Sequence, residues 1–149
     1  MRVYIDSDHR GFELRQRLVQ YLMHGGHEVH DLGTVVRDPD DDYTDVAERL
    51  SRALVADGDK SARGILLCGS GQGVCMAANR FTGIRAALAL SNRMVHAARN
   101  DDDANVLCVP ADYLDYEETR AQVHTFLTTE FAAAKRYVRR ARRLDELGG

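Results

Sequence analysis

The sequence has no tryptophan, only two prolines and three cysteines among 149 residues. Three cysteines at irregular spacing exclude a disulfide framework as the basis of the fold. No apolar run approaches the roughly 20 residues of a membrane-spanning helix, and the N-terminus does not resemble a signal peptide. The net charge of -3 provides no basic excess that would attract nucleic acid or membranes. We therefore expect a cytoplasmic protein that binds small molecules or protein partners, and neither nucleic acid nor membrane.

What the sequence does contain is a regular alternation of short β-rich runs with longer segments of helical period. Its hydrophobic fraction of 44% is enough for one buried core, so we expect a single domain over residues 1–149. The alternation predicts an α/β fold with a parallel sheet covered by helices. Predicted strands cover residues 2–6, 28–32, 64–68, 84–88 and 105–109, and predicted helices cover 12–24, 44–56, 73–79, 92–99, 116–128 and 131–147.

The segment from Gly64 to Arg80 carries the clearest chemical signal. Its pattern indicates a buried strand that ends at Cys68, then a glycine-rich turn, then a helix start. Backbone N–H groups in such a turn can hold an oxyanion, and a thiol placed before a helix start is favoured as the thiolate. The other two cysteines are interpreted as small hydrophobic core residues. The turn itself comprises Gly69, Ser70, Gly71 and Gly73.

Other strand ends carry polar side chains as well, and ligands of open α/β sheets lie beyond the carboxyl ends of the strands. Asp8 and His9 follow the first strand, although Asp8 could serve only as a helix cap. The residues 100–103 precede the fifth strand, and Asp112 follows it. The acidic loop 38–42 lacks the glycine and final glutamate of a calcium loop, so it is interpreted as solvated surface.

Two further patterns bear on cofactors and anions. The spacing of Gly69, Gly71 and Gly73 does not match the dinucleotide fingerprint, and the turn lacks the lysine of a P-loop, so no nucleotide cofactor is indicated. Arg136 and Arg140 are four residues apart on a basic helix and share one face. Such a face is usually only solvated, yet this geometry could also clamp a phosphate.

At these residues the chain resembles the ribose-5-phosphate isomerase B and galactose-6-phosphate isomerase family of aldose-ketose isomerases, from Met1 to about Leu147. The resemblance implies a Rossmann-like α/β/α sandwich with a five-stranded parallel sheet, no metal and no other cofactor. It also implies a homodimer or homotetramer with shared active sites, in which the helix at about 131–147 packs on a partner subunit. The matching motifs are Asp8-His9-x-Gly11-Phe12, Asp31-Leu32-Gly33, Asp42-Tyr43, Cys68-Gly69-Ser70-Gly71-x-Gly73, Ala77-Ala78-Asn79, Gly83-Ile84-Arg85-Ala86, Asp103-Ala104-Asn105-Val106, and Arg136 with Arg140.

The resemblance also implies roles for individual residues. Cys68 would be the base that moves a proton through an enediolate, since relatives with a glutamate base carry it where this chain has Val74. Ser70 and the turn amides would hold the developing oxyanion, and Asp8 would bind sugar hydroxyls and assist proton transfer. The remaining expected substrate contacts are Tyr43 beside the sugar, Asp102, and, for the phosphate, His9 with Arg136 and Arg140 from the partner subunit.

Two departures from the family pattern concern the substrate. Asp101 stands where relatives have a ring-opening histidine, and Asp112 stands where they have a phosphate-binding arginine. Asp101 could take over ring opening, or the substrate could be one that needs none, such as a tetrose 4-phosphate. An unphosphorylated or differently anchored sugar is another possibility. The expected function is therefore isomerisation of ribose 5-phosphate to ribulose 5-phosphate, or of a related tetrose or hexose phosphate, and the alternative is a non-catalytic sugar-phosphate sensor or partner subunit.

Overall fold

The computed structural model describes residues 1–148, and its strands and helices alternate along the chain. The predicted α/β class and the five predicted strands are confirmed. The strands are β1 (Arg2–Ser7), β2 (Glu28–Asp31), β3 (Arg63–Cys68), β4 (Ala86–Leu88) and β5 (Val106–Pro110). The helices are α1 (Phe12–His24), α2 (Tyr43–Asp57), α3 (Gln72–Ala78), α4 (Asn92–Asp102), α5 (Tyr116–Thr128) and α6 (Lys135–Glu146).

All five strands are parallel and lie in the order β2-β1-β3-β5-β4. The chain moves outward from β1 to β2 and then crosses back to β3 on the other side of β1. The strand order therefore reverses between β1 and β3, and the loops that follow these two strands diverge at their carboxyl ends. In open α/β sheets this crevice is where ligands bind. The fold thus brings the segment after Ser7 and the segment after Cys68 to the same crevice.

The core has two layers, one on each face of the sheet. Successive side chains of a strand point to opposite faces. On β3, Ile65 and Leu67 pack with α1, α4 and α5, whereas Leu66 and Cys68 pack with α2 and α3. Because β3 is central, both of its faces are buried, which explains its nearly continuous apolar sequence. Cys68 consequently faces the α2 and α3 side of the molecule.

The predicted start of the last helix was wrong by four residues. The three alanines after Phe131 have high helix propensity, but α6 begins only at Lys135. Ala133 has a left-handed φ of 53°, and Ala134 is extended. The amide of Ala132 donates a hydrogen bond of 3.1 Å to the carbonyl of Asn100 at α4. A tertiary contact therefore overrides local propensity in this segment.

The last helix, α6, is fastened to the amino edge of the sheet. Asp145 accepts two hydrogen bonds, of 2.8 and 3.0 Å, from Arg85, which directly precedes β4. Ala141, one turn earlier in α6, is buried. The expected packing of α6 on a partner subunit stays a prediction. None of the helices in residues 1–148 combines the length and the apolar character that crossing a membrane requires.

Candidate active site

The glycine-rich turn after β3 presents unpaired amides beside a buried thiol. Cys68 is the last residue of β3, aligned with Pro110 of β5, and its side chain is buried. Gly71 has a left-handed φ of 72°, and a Cβ there would lie 2.6 Å from Leu88, so only glycine fits. Within residues 1–148, the amides of Ser70, Gly71 and Gly73 donate no hydrogen bond to a protein acceptor. The turn is therefore a ready cradle for a negatively charged oxygen.

Tyr43 covers one end of this turn. It is the first residue of α2, and a Cβ on Gly73 would lie 2.7 to 2.9 Å from its ring. The absence of a side chain at Gly73 is thus what allows the ring to approach the backbone. The expected contact of Tyr43 with the sugar stays a prediction.

Asp8 lies at the carboxyl end of β1 and is buried next to β3. Its amide donates a hydrogen bond of 3.1 Å to the carbonyl of Leu67. Its Oδ1 accepts hydrogen bonds from the amides of Arg10 at 2.9 Å and Gly11 at 3.2 Å. Burial raises the pKa of the Asp8 carboxyl above its ordinary value, and these two amide bonds oppose the shift. Asp8 therefore caps the start of the following loop and is at the same time a buried carboxyl with a raised pKa.

His9 is held by an aspartate that sequence reasoning missed. Asp41 Oδ1 accepts hydrogen bonds from the backbone amide of His9 at 3.0 Å and from its Nδ1 at 2.7 Å. This leaves Nε2 of His9 for a ligand. Asp8, His9 and Asp41 each bring a ligand atom within 4.8 Å of the others, the donor types of a cation site. Because Nδ1 of His9 is already bonded to Asp41, the closeness of these three side chains is explained by Asp41 orienting the imidazole.

An ion pair lies over Gly69, at the end of the turn opposite to Tyr43. Arg10 Nη2 pairs with Asp112 Oδ2. A Cβ on Gly69 would lie 2.8 Å from Arg10 Nε and 2.9 Å from Asp112 Oδ2, so both side chains rest on this glycine. Asp112 is therefore not an unpaired acid that repels an anion. No sequence pattern pointed to Arg10, because its partner lies on a loop far along the chain.

Such an exposed pair contributes little to folding. The side chain of Arg10 is 57% exposed and that of Asp112 is 34% exposed. Exposed ion pairs are worth about 0 to 1 kcal/mol, because water screens the charges and ordering the side chains costs entropy. Replacing either residue should therefore change the site more than the fold.

The other expected site residues lie at the opposite edge of the sheet. Asp101 and Asp102 form the last turn of α4, which leads into the start of β5. Arg136 and Arg140 belong to α6, which Asp145 fastens to the amino edge. One chain therefore carries two separate groups. The carboxyl-edge group comprises Asp8, His9, Tyr43, Cys68, Gly69, Ser70, Gly71 and Gly73, and the amino-edge group comprises Asp101, Asp102, Arg136 and Arg140.

The run of three aspartates at residues 101–103 is partly neutralised by neighbouring side chains. Asp103 accepts a hydrogen bond of 2.8 Å from Arg99 at one oxygen and one of 3.1 Å from Arg85 at the other. Asp101 accepts a hydrogen bond of 2.7 Å from the side-chain amide of Asn100. Two guanidinium groups thus neutralise Asp103, so it does not act on Asp101 as an uncompensated like charge.

The two remaining cysteines differ from Cys68 in position. Cys108 is fully buried on β5, and burial raises the pKa of its thiol. A hydrogen bond from Cys108 lowers the pKa of Cys75, which is half-buried in α3. The interpretation of Cys108 as a core residue is confirmed, and Cys75 packs against the same core at its edge. Cys68 is the thiol that adjoins the turn.

Comparison with known proteins identifies the family that this arrangement represents. The family model described as ribose/galactose isomerase matches residues 3–147. The chain belongs to this family. The match spans both the carboxyl-edge group and the amino-edge group, and the resemblance inferred from the motifs is confirmed.

Individual members of the ribose/galactose isomerase family resemble the chain over most of its length. A probable ribose-5-phosphate isomerase B of Mycoplasma pneumoniae is 41% identical over 133 residues, which are 89% of this chain and 86% of the relative. Ribose-5-phosphate isomerase B of Mycobacterium tuberculosis is 39% identical over 140 residues, 94% of this chain and 85% of the relative. In both alignments the matched residues cover more than four fifths of this chain and of the relative.

Solved structures of the family confirm the fold. The ribose 5-phosphate isomerase of Thermotoga maritima superposes with a TM-score of 0.91 at 40% identity and covers 98% of both chains. The enzyme of Mycoplasma genitalium, solved with bound ribulose-5-phosphate, superposes with a TM-score of 0.92 at 36% identity. That match covers 97% of this chain and 94% of the solved one. The predicted Rossmann-like sandwich with a five-stranded parallel sheet is thereby established.

The raised pKa of Asp8 leads to a prediction about stability. When folding raises the pKa of a carboxyl, the folded protein loses stability as pH rises from the unfolded-state pKa through the folded-state pKa, because a charged carboxylate must then be buried. Asparagine keeps the acceptor for the amides of Arg10 and Gly11 but carries no charge. We therefore expect the melting temperature of Asp8→Asn to gain on that of the wild type as pH rises from roughly 3 to 7. Paired thermal melts across this range measure it, and a constant difference at every pH would contradict it.

Proposed function

We propose that the protein is an aldose-ketose isomerase of small sugar phosphates, with Cys68 as the base. The observation that carries this proposal is a buried thiol at the start of a turn with three unpaired amides, next to the buried carboxyl of Asp8. Membership of the ribose/galactose isomerase family supports the reaction class. The relative solved with bound ribulose-5-phosphate supports pentose phosphates as the first substrates to test.

The reaction needs a base, an oxyanion site and a way to move a proton between two oxygens. The Cys68 thiolate removes the proton from the carbon next to the carbonyl, and the electron pair moves onto the carbonyl oxygen to give an enediolate. The amides of Ser70, Gly71 and Gly73 hold that oxygen, and one such donor is worth roughly 3 kcal/mol in the transition state. The Cys68 thiol then returns the proton to the neighbouring carbon. No step requires a cofactor or metal.

Asp8 is proposed to carry the proton between the two oxygens. A carboxyl with a raised pKa exchanges protons more readily near neutral pH than an ordinary aspartate, and burial supplies that shift. Its Oδ1 is occupied by the amides of Arg10 and Gly11. Those contacts fix the orientation of the carboxyl and leave Oδ2 for the substrate.

The phosphate and the opposite end of the sugar require the amino-edge group of a second copy. Arg136 and Arg140 of the same chain lie at the far edge of the sheet from Cys68, so they can serve this site only in trans. We propose a homodimer or homotetramer, located in the cytoplasm, in which Nε2 of His9 meets both arginines at the phosphate. Asp101 and Asp102 enter by the same route and take the place of ring-opening and sugar-binding groups.

The experiment that tests the proposal is a panel of tetrose, pentose and hexose phosphates in deuterated water. We expect deuterium at the carbon next to the carbonyl for at least one sugar, because the base exchanges its proton with solvent. If Asp101 does not replace the ring-opening histidine, the tetrose 4-phosphate will have a higher kcat/KM than ribose 5-phosphate, since it cannot close a furanose. A higher value for ribose 5-phosphate removes the tetrose hypothesis. Absence of deuterium across the panel, with binding retained, would favour the sensor.

A further inference from the structure

Arg10 is a cation on the rim of the carboxyl-edge group for which the mechanism above has no use. It belongs to the loop between β1 and α1, and its guanidinium rests on Gly69. Around it lie three carboxylates of the same crevice, those of Asp8, Asp41 and Asp112. A dianionic substrate would be repelled from such a crevice unless a positive charge faced it.

Two of the neighbouring arginines are committed to other partners, whereas the exposed Arg37 donates its Nε, at 3.1 Å, to the carbonyl of His9. Arg49 makes two hydrogen bonds, of 2.8 and 3.0 Å, to the fully buried Asp6. Arg15 is itself buried and donates to Ser7 and to the carbonyl of Thr34. Neither guanidinium is free to bind a ligand. Arg10 differs from Arg15 and Arg49 because its side chain is more than half exposed and its guanidinium rests on the turn at Gly69.

We propose that Arg10, oriented by Asp112, binds the anionic end of the substrate from within the same chain. This inference rests on the proposed isomerase function and deepens it, because it assigns a residue to the phosphate of a short-chain sugar phosphate. The guanidinium has five N–H donors in a planar fork, and Asp112 engages it at Nη2. The remaining donors are available to phosphate oxygens, for which this geometry is well suited.

The position of Arg10 fits a short substrate that reaches from the thiol to the cation. The Cβ of Cys68 and a Cβ added to Gly69 would point to opposite faces of β3. Arg10 lies on the side to which the added Cβ would point. A sugar phosphate whose carbonyl end is at Cys68 would therefore cross the end of the strand and place its phosphate beside Arg10. His9, the preceding residue, faces the same end with its free Nε2.

Asp112 acts as a positioning residue in this arrangement. Its amide donates a hydrogen bond of 3.0 Å to the carbonyl of Gly69, and the amide of Ala111 donates one of 2.9 Å to the carbonyl of Cys68. The loop after β5 is thereby tied to the turn. Asp112 thus fixes the Arg10 side chain against the same backbone that carries the thiol, which lowers the entropy lost when a phosphate binds.

The test compares Arg10→Ala with a matched control, Arg120→Ala. Arg120 makes an ion pair of 2.8 Å with Glu117 on α5, away from the crevice, and its side chain is also partly exposed. Calorimetric titration with inorganic phosphate and steady-state kinetics with the best sugar phosphate are the readouts. We expect Arg10→Ala to weaken phosphate binding and raise KM by about 10- to 100-fold, the range for a charged hydrogen bond, with kcat changed less than KM. Arg120→Ala should match the wild type.

Variants of Asp112 separate binding from a purely structural contact. Asp112→Asn should raise KM less than Arg10→Ala, because the cation remains but is less well oriented. The charge exchange Arg10→Asp with Asp112→Arg should recover most of the phosphate affinity that Arg10→Asp alone loses, since a guanidinium again lies over Gly69. Wild-type phosphate affinity in Arg10→Ala would overturn the proposal. So would a loss of kcat and melting temperature without a change in phosphate affinity.

The outcomes for Arg10 and for the proposed function are distinguishable. If the wild type isomerises no sugar phosphate, yet binds inorganic phosphate and loses that binding in Arg10→Ala, the isomerase function fails and the role of Arg10 stands. If the wild type is active and Arg10→Ala binds phosphate normally, the function stands and the role of Arg10 fails.

Discussion

Replacement of Cys68 by alanine is expected to lower kcat by about 100- to 10,000-fold, the usual contribution of a positioned acid or base. The methyl group of alanine fits the space of the buried thiol but cannot remove a proton from carbon. The turn amides and Asp8 stay in place, so binding of inorganic phosphate should be unchanged. Steady-state turnover together with deuterium incorporation measures the effect, because both depend on proton removal.

The matched control is Cys75→Ala, which removes a thiol from α3 without touching the turn. We expect it to retain wild-type kcat, since Cys75 contacts Asn79 and the carbonyl of Ala86 rather than the crevice. Cys68→Ser tests the chemistry more finely, because serine keeps a polar atom in place but its hydroxyl is a far weaker acid. If Cys68→Ala kept more than a tenth of the wild-type kcat, another group would be the base.

The fold was predictable because its signals are local. The central strands are apolar runs bounded by glycine or charged residues, and the predicted span 64–68 differs from β3 by a single residue. The same logic failed at α6, where the three alanines favour helix but Ala133 is left-handed. The contact that decides this conformation comes from Asn100 on another helix. Propensity has no access to such a contact, so the boundary could not be found from the sequence.

The candidate site divides in the same way between local and distant signals. Cys68 and its turn are contiguous, so a thiol, glycines and a helix start could be recognised together. Asp41 is 32 residues from His9, within an acidic loop whose composition suggests only solvation. Arg10 and Asp112 come from two loops that are far apart in sequence, after β1 and after β5. Such pairs are set by which strands become neighbours, and the order β2-β1-β3-β5-β4 is needed to predict them.

The resemblance to the family implies that Asp101 and Asp102 share an active site with Cys68. In one chain they do not, because a helix that follows a parallel strand runs back to the amino edge of the sheet. The last turn of α4 therefore lies at the opposite end of the molecule from Cys68. The order of motifs along the chain does not reveal at which edge of the sheet a residue lies. That position follows from whether the residue comes after a strand or after a helix. Because the two groups are separated within one chain, a test of activity in mixed dimers can show whether they meet across a subunit interface.

Two inactive variants are expected to restore activity when they share a dimer. Cys68→Ala damages the carboxyl-edge group, and Arg136→Ala with Arg140→Ala damages the amino-edge group. If each site combines one group from each subunit, a mixed dimer contains one site built from two intact groups. Random assembly from equal amounts makes half of the dimers mixed, so about a quarter of the wild-type activity should return in the unfractionated mixture and about half in the purified mixed dimer. Co-expression with two affinity tags and assay of the doubly tagged dimer measures this directly.

The control for this experiment uses two variants of the same group. Cys68→Ala and Asp8→Asn both damage the carboxyl-edge group, so every site in their mixed dimer contains one damaged residue and no activity should return. Recovery with this pair would mean that subunit mixing restores activity for a reason other than complementary sites. No recovery with the first pair, in a dimer that is demonstrably mixed, would place the arginines outside the partner's site. The phosphate would then depend on cations of the same chain, of which Arg10 is the one that lies over the turn.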